Sequence, residues 1–238
     1  MCSGRVDLAF VLRAFANGMD GVLIGGCRLN ECNYITHGNY DALNMTLLCK
    51  QIMANIGLDP ARLRIAFMSS GEGHLFTQAV DDFTATIKAL GPLGRAEALD
   101  PQTLTSRLAR VQKLVPYIKL EQREKLAARL GDPADHATLF SSQEIDTLLN
   151  QPVSYVIEPD KCRACMICLR RCPAEAINGA KKQVHVIDQD KCIKCGTCLE
   201  ACPPRFGAVT RIDEGPVPPP LPEARRAVKE RARTKSTP

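Results

Sequence analysis

The chain contains no tryptophan, and its other aromatic residues bring the aromatic fraction to only 5% of 238 residues. Proteins that hold single-stranded nucleic acid stack bases on such rings, so no nucleic-acid partner is expected. Long apolar runs are also missing. No stretch approaches the roughly 20 residues that a membrane-crossing helix needs, and Met1–Phe10 has no apolar core behind a basic start. A cytoplasmic protein without direct membrane insertion is the expectation. Paired carboxylates, a nucleophile beside a base and a G-x-G-x-x-G fingerprint are all absent, so no catalytic residue is nominated. The formal charge of +5 sits mostly in a tail, where Arg225, Arg226, Lys229, Arg231, Arg233 and Lys235 face only Glu223 and Glu230. That tail opens with Pro216, Pro218, Pro219, Pro220 and Pro222, a composition that predicts an extended, disordered segment.

Cysteine is abundant instead, with 12 residues. Cys162, Cys165, Cys168 and Cys172 precede Pro173, and 30 residues later Cys192, Cys195, Cys198 and Cys202 precede Pro203. Each run reads C-x2-C-x2-C-x3-C-P, the spacing of paired [4Fe-4S] clusters, in which the fourth cysteine of each run serves the other cluster. The expected ligand sets are therefore Cys162, Cys165, Cys168 and Cys202 for one cluster, and Cys192, Cys195, Cys198 and Cys172 for its neighbour. Structural zinc needs only two C-x2-C pairs, and disulfides belong to exported proteins, so both alternatives fit less well.

Residues 153–213 accordingly resemble a bacterial-type ferredoxin domain with two [4Fe-4S] clusters. Tyr155–Ile157 and Val184–Ile187 read as its flanking strands. The halves differ at one place: Ala176-Ile177 follows Cys172 closely, whereas Ala208-Val209 follows Cys202 after an insertion around Pro204–Phe206. Lys161, Lys191 and Lys194 flank the cysteines and are candidates to guide an acidic partner.

The first 91 residues alternate strand and helix signals. Leu8, Val11, Leu12 and Phe15 mark an amphipathic helix, Gly21–Gly26 a buried parallel strand, Asn39–Ile56 a long helix closed by Gly57, and Leu63–Met68 a second strand. A helix with Phe76, Ala79, Val80, Phe83, Ile87 and Leu90 on one face follows. This βαβα pattern places ligands at the carboxyl ends of the strands, where Cys27 and the Ser69–Gly73 loop would lie. That loop lacks a lysine and reads as a helix N-cap rather than a phosphate site. Cys2, Cys27 and Cys32 are placed to converge on one sheet edge, while Cys49 falls among the apolar positions of its helix and reads as core.

Met1-Cys2-Ser3-Gly4-Arg5, Gly25-Gly26-Cys27 with Cys32, Gly38-Asn39-Tyr40 and Ser70-Gly71-Glu72-Gly73 resemble the delta, or iron-sulfur, subunit of methyl-viologen-reducing hydrogenase over residues 1 to about 94. The resemblance implies a [2Fe-2S] cluster on Cys27, Cys32 and Cys2. It also implies partners: a flavin-containing, heterodisulfide-reductase-like subunit, and a hydrogenase, formate dehydrogenase or NADH-oxidising module. Arg28 and Asn33 stand where that family more often has histidine, and His37 follows in a longer loop. The family begins with a further strand and helix, and two parallel strands alone make a poor sheet. The expectation is that Met1 is an internal methionine, downstream of an upstream selenocysteine codon read as a stop, and that the native mass exceeds the 26.0 kDa of this sequence.

Residues 95–152 read as a helical spacer, with a start at Asp100-Pro101, an interruption at Pro116 and a capping box from Ser141 to Glu144. The fold class expected is α/β: a small parallel-sheet, three-layer domain (1–94), the spacer (95–152), an α+β ferredoxin-like 2[4Fe-4S] domain (153–213) and a basic tail (214–238). The function expected is electron relay in an anaerobic multi-subunit oxidoreductase, with a benzoyl-CoA reductase complex among the candidate hosts. A ferredoxin-fused redox sensor using the N-terminal cysteines is the alternative.

Overall fold

The computed structural model describes residues 2–34, 38–213 and 215–228. The chain is mixed α/β and divides into two compact units, Met1–Asn150 and Gln151–Pro238.

In the first unit, Asp7 caps helix α1 (Leu8–Ala16) by accepting from Ala9 N at 2.9 Å, and Leu8, Val11, Leu12 and Phe15 form its buried face. Strand β1 (Val22–Gly26) pairs in parallel with β2 (Leu63–Phe67), with Ile24 opposite Ile65. Among the described residues this sheet has two strands. Helix α2 (Asn39–Asn55) crosses between them and is buried along Ala42, Met45, Leu48, Cys49, Ile52 and Met53. It ends where Gly57 turns the chain at φ 84°, a conformation that a residue with a Cβ adopts only under strain. Cys49 is fully buried and burial pushes its thiol up to about 12, as expected of a core position. Helix α3 (Gly73–Leu90) buries Ala79 and Phe83 and leaves Phe76 half exposed.

Helices α4 (Pro101–Glu121), α5 (Arg123–Leu126) and α6 (Ser142–Asn150) fill the segment read as a spacer. They pack onto α1 and α2 within the first unit. Pro116 does not interrupt α4, contrary to the sequence reading. It removes one N–H from the helix ladder, and the burial of Val115, Tyr117 and Ile118 on either side holds the helix through that gap. The capping box at α6 is half formed. Ser141 Oγ accepts from Glu144 N at 3.2 Å, but the Glu144 carboxylate turns to Lys125 and Gln122.

In the second unit, β3 (Ser154–Ile157) pairs antiparallel with β6 (Val209–Ile212), and β4 (Ile177–Asn178) with β5 (Val186–Ile187). Short helices α7 (Ile167–Arg171) and α8 (Thr197–Ala201) each carry the third cysteine of a run. The disordered tail expected from the prolines is corrected for its described part, 215–228. Val184 N donates to Arg226 O at 2.6 Å, Val228 N donates to Lys182 O at 2.9 Å, and Ala227 bridges to Gln183. Leu221 and Val228 supply the apolar anchors, packing against Cys162, Val184 and Ala208. The rest of the basic tail, 229–238, lies outside the described residues.

Candidate metal centres

The repeat in sequence is also a repeat in backbone. Ala164 and Lys194 both take positive φ, 50° and 58°, and so do Met166 and Gly196, 66° and 73°. Each left-handed residue sits between two cysteines and turns the chain inward, so that thiols three residues apart face one point rather than spiral away. Cys162, Cys168, Cys192 and Cys198 are buried, Cys165 is exposed, and Cys172, Cys195 and Cys202 are half buried.

The fourth cysteine of each run crosses over. Cys168 lies in the field of Cys162, Cys165 and Cys202, whereas Cys192 lies in that of Cys195 and Cys172. Cys162, Cys165, Cys168 and Cys202 line one cavity together with Arg163, His185 and Phe206. Cys198 is placed with Cys192 and Cys195, and is close enough to Cys168 for their charges to be felt across the two sets. Among the described residues no three Cys, His, Asp or Glu side chains gather tightly enough for a single bare metal ion. Burial first, then neighbouring thiols, pushes Cys168 up to about 11 and Cys198 up to about 12. Several thiolates in such sites require a compensating positive centre, and iron in a cluster supplies one.

The backbone adds donors aimed at sulfur. Ala176 N donates to Cys172 Sγ and Ala208 N donates to Cys202 Sγ, both at 3.3 Å. The insertion after Cys202 therefore leaves this contact intact. Pro203 O accepts from Phe206 N and Gly207 N, folding the extra residues into a turn that returns Ala208 to the sulfur. Lys194 departs from its expected role as a surface guide. It is 9% exposed and its Nζ donates to Gln189 Oε1 at 2.7 Å and Ser154 Oγ at 3.2 Å, so its charge is spent inside the domain, near Cys192. Lys161 and Lys191 are exposed, Lys161 in a 2.8 Å pair with Glu158.

A second group of thiols lies at the carboxyl end of β1. Cys2 Sγ and Cys32 Sγ are 3.7 Å apart, and Cys27 adjoins both. Burial raises the Cys27 thiol, with Cys32 adding to the rise; on Cys32 burial is outweighed by the Tyr34 and Asn39 backbone amides and by both neighbouring thiols, which hold it below its ordinary value. Two glycines permit the approach. A Cβ on Gly26 would meet Ser3 Oγ at 2.8 Å, and one on Gly38 would meet Tyr34 O at 2.4 Å and Cys32 Sγ at 2.6 Å.

Sequence reasoning placed Asn39 in a motif and at a helix start but gave it no role at the thiols. It is 1% exposed, and its Nδ2 donates to Cys27 O and Arg28 O at 2.9 and 2.6 Å and points at Cys27 Sγ from 3.8 Å. Ser3 Oγ, beside Gly26 at the edge of this group, is buried without a hydrogen-bond partner. His37, the histidine of the longer loop, lies outside the described residues. The Ser69–Gly73 loop carries its own anion: Glu72 accepts from Ser69 N at 2.7 Å and from Arg28, which is why arginine suits position 28.

These centres define an iron-sulfur protein. Residues 154–214 match the 4Fe-4S dicluster domain, and residues 1–91 match the methyl-viologen-reducing hydrogenase delta subunit. Over 94 residues, 40% of this chain, it is 46% identical to one component of the ferredoxin:CoB-CoM heterodisulfide reductase of Methanosarcina mazei, covering 12% of that component's length. Over 91 residues, 38% of this chain, it is 43% identical to the iron-sulfur subunit of the F420-non-reducing hydrogenase of Archaeoglobus profundus, covering 66% of it. The vhu iron-sulfur subunit of the F420-non-reducing hydrogenase of Methanococcus maripaludis is 40% identical over 91 residues, 38% of this chain and 67% of that one. The chain belongs to the methyl-viologen-reducing hydrogenase delta subunit family, with a 4Fe-4S dicluster domain joined after it.

Among the described residues no helix is long and apolar enough to cross a membrane.

Proposed function

We propose that the chain is an electron-transfer subunit of a multi-subunit oxidoreductase, relaying electrons between a hydrogenase or dehydrogenase module and a flavin-containing, heterodisulfide-reductase-like subunit. The reading rests above all on the crossed grouping of eight cysteines, Cys202 with the first run and Cys172 with the second. When bound there, [4Fe-4S] clusters exchange single electrons without proton chemistry of their own. The chain's residues then do the remaining work: the thiols fix the two centres beside each other, the Ala176 and Ala208 amides stabilise charge on sulfur, and Leu221, Val228 and Ile157 keep water from Cys162 and Cys202.

Cys2, Cys27 and Cys32 would hold a [2Fe-2S] cluster. Three thiols are one short of the four that such a cluster takes, so this centre draws its last ligand from elsewhere. Domain limits of 1–94, 95–152, 153–213 and 214–238 belong to the same proposal, as does a benzoyl-CoA reductase complex as one candidate host, by analogy of architecture.

One observation favours a second reading. The 3.7 Å between Cys2 and Cys32 sulfurs suits a thiol pair that cycles with a disulfide, as a redox sensor would require. Anaerobic purification from the native host, with iron and sulfide counted per chain, EPR spectra recorded and copurifying proteins identified, separates the two. Two [4Fe-4S] signals and a [2Fe-2S] signal beside a flavoprotein support the relay. A solitary chain with two clusters and titratable Cys2 and Cys32 thiols supports the sensor.

A further inference from the structure

The repeat allows the halves of the second unit to be compared position by position, and one buried residue breaks the symmetry. His185 precedes Cys192 by as many residues as Tyr155 precedes Cys162. Both are 1% exposed. Only the histidine brings ring nitrogens to the interior.

Its placement follows from the β4–β5 ladder. Ile177 faces Ile187 and Asn178 faces Val186, so the next pair is Gly179 and His185. The imidazole lies against the bare Gly179 backbone, where a Cβ would come within 2.1 Å of Cδ2. Its Nδ1 is 3.5 Å from Cys168 Sγ, and its Nε2 is 3.3 Å from Met166 Sδ. The ring also lines the cavity shared by Cys162, Cys165, Cys168 and Cys202.

Both sulfurs that face the ring accept hydrogen bonds, and a neutral imidazole carries one proton; a ligating thiolate, being charged, is a stronger acceptor than the Met166 thioether, so the tautomer with the proton on Nδ1 is favoured. The backbone treats the centres alike, with one amide each on Cys172 and Cys202 at 3.3 Å. The second set has a hydroxyl of its own, Thr197 Oγ1 at 3.2 Å from Cys195 Sγ, where the repeat has Ile167 in the first run. The imidazole is thus an added donor on the first set alone.

We infer that His185 sets the reduction potential of the centre held by Cys162, Cys165, Cys168 and Cys202, raising it by donating Nδ1–H to Cys168 Sγ. Reduction adds negative charge to the cluster and its sulfurs, and a donor aimed at sulfur favours the more negative state, so the potential rises. His185 is a positioning residue: it acts through Cys168 and exchanges no electron itself. The inference rests on the proposal that these cysteines hold a cluster.

The test is an EPR-monitored redox titration of the full chain, purified anaerobically with its clusters. His185→Leu is expected to lower the midpoint of one [4Fe-4S] cluster, changing its oxidised-to-reduced ratio at fixed potential by about tenfold, which is 59 mV for a one-electron couple, and to leave the other unmoved. His185→Gln, which keeps an N–H, restores part of the shift. Gly179→Ala, which keeps the imidazole but displaces it, reproduces the loss. Two cluster signals with unchanged midpoints in all three variants, or equal shifts in both clusters, overturn the inference while leaving the cluster assignment standing. Wild type without two [4Fe-4S] signals overturns the assignment and the inference together.

Discussion

Removing the Arg62 guanidinium should destabilise the first unit more than any surface change, because all five of its N–H groups are used. Arg62 is 0% exposed; its Nε and Nη2 donate to Glu97 at 2.6 and 3.1 Å, Nη1 donates to Asp20 O and Gly91 O at 3.0 and 2.9 Å, and Nη2 donates to Pro92 O at 3.1 Å. Arg62→Met would leave three carbonyls and a carboxylate that is itself 5% exposed in the pair. Breaking a buried pair from one side costs about 3–5 kcal/mol. For a unit of 150 residues, at about 2–4 °C per kcal/mol, the expected fall in Tm is roughly 6–20 °C. Scanning calorimetry of the anaerobic full chain would read it. The pH dependence has a definite sign. Burial pushes Glu97 up, but Arg62 and the Asp59 amide hold it below its ordinary value of 4.5. Its contribution is therefore complete above that pH and is lost as pH falls through the lower folded value. In the variant the lone carboxylate protonates readily, so the Tm gap should narrow from pH 7 to pH 4.5. A loss under about 2 °C, less than 1 kcal/mol for a unit this size, or a gap that does not change with pH, would refute the reasoning.

Gly38→Ala would drive a Cβ to 2.6 Å from Cys32 Sγ; from the [2Fe-2S] cluster proposed on Cys2, Cys27 and Cys32, the expected result is loss of that cluster's iron with both [4Fe-4S] signals kept, read by iron analysis and EPR. Truncation after Asp213 removes Leu221 and Val228 from the apolar shell of Cys162 and Cys202. Visible absorbance should then bleach several-fold faster in air, and an unchanged rate would mean that segment 215–228 shields nothing. His136 is 0% exposed and neutral: its Nε2 accepts from Leu130 N at 3.1 Å, and its Nδ1 meets Asn44 Oδ1 at 2.6 Å. Burial holds its folded pKa below the ordinary 6.5, so the unfolded chain takes the proton first. Its stabilisation is whole above pH 6.5 and falls as pH drops toward the folded value. The urea midpoint should show this slope in wild type, and His136→Asn should flatten it.

Spacing made the cysteines legible because iron-sulfur ligation is dictated by covalent reach: an interval of three residues is a constraint that no other part of the fold relaxes. The strands at 22–26 and 63–67 were legible for a similar reason, since apolar runs that end in glycine or a loop have few other uses. The roles of Asn39, Ser3 and His185 were not. Asn39 acquires its role from Cys27 and His185 from Cys168, and an isolated polar residue carries no mark of its distant partner. The first part of the tail, 215–228, was misread because proline-rich composition reports local extension only. Leu221 and Val228 decide whether an extended segment docks, and nothing in the order of residues 215–228 sets them apart from Val217. Pro116 was misread because a helix rule was applied without the burial of Val115, Tyr117 and Ile118 that overrides it.

One turn of the repeat is strained where its counterpart is not. At the turn before α8 the left-handed position is Gly196, but at the turn before α7 it is Met166, with φ 66°. A side chain there costs about 1–2 kcal/mol, which glycine avoids. Ligand spacing alone does not require methionine, since Gly196 makes the same turn. What methionine adds is Sδ at 3.3 Å from His185 Nε2, on the side of the ring away from Cys168. Gly179 bounds one face of the imidazole and Met166 its far edge, leaving Nδ1 directed at sulfur. The strain at Met166 and the missing side chain at Gly179 thus serve one ring. Backbone symmetry builds two similar centres, and this departure from it makes them unequal.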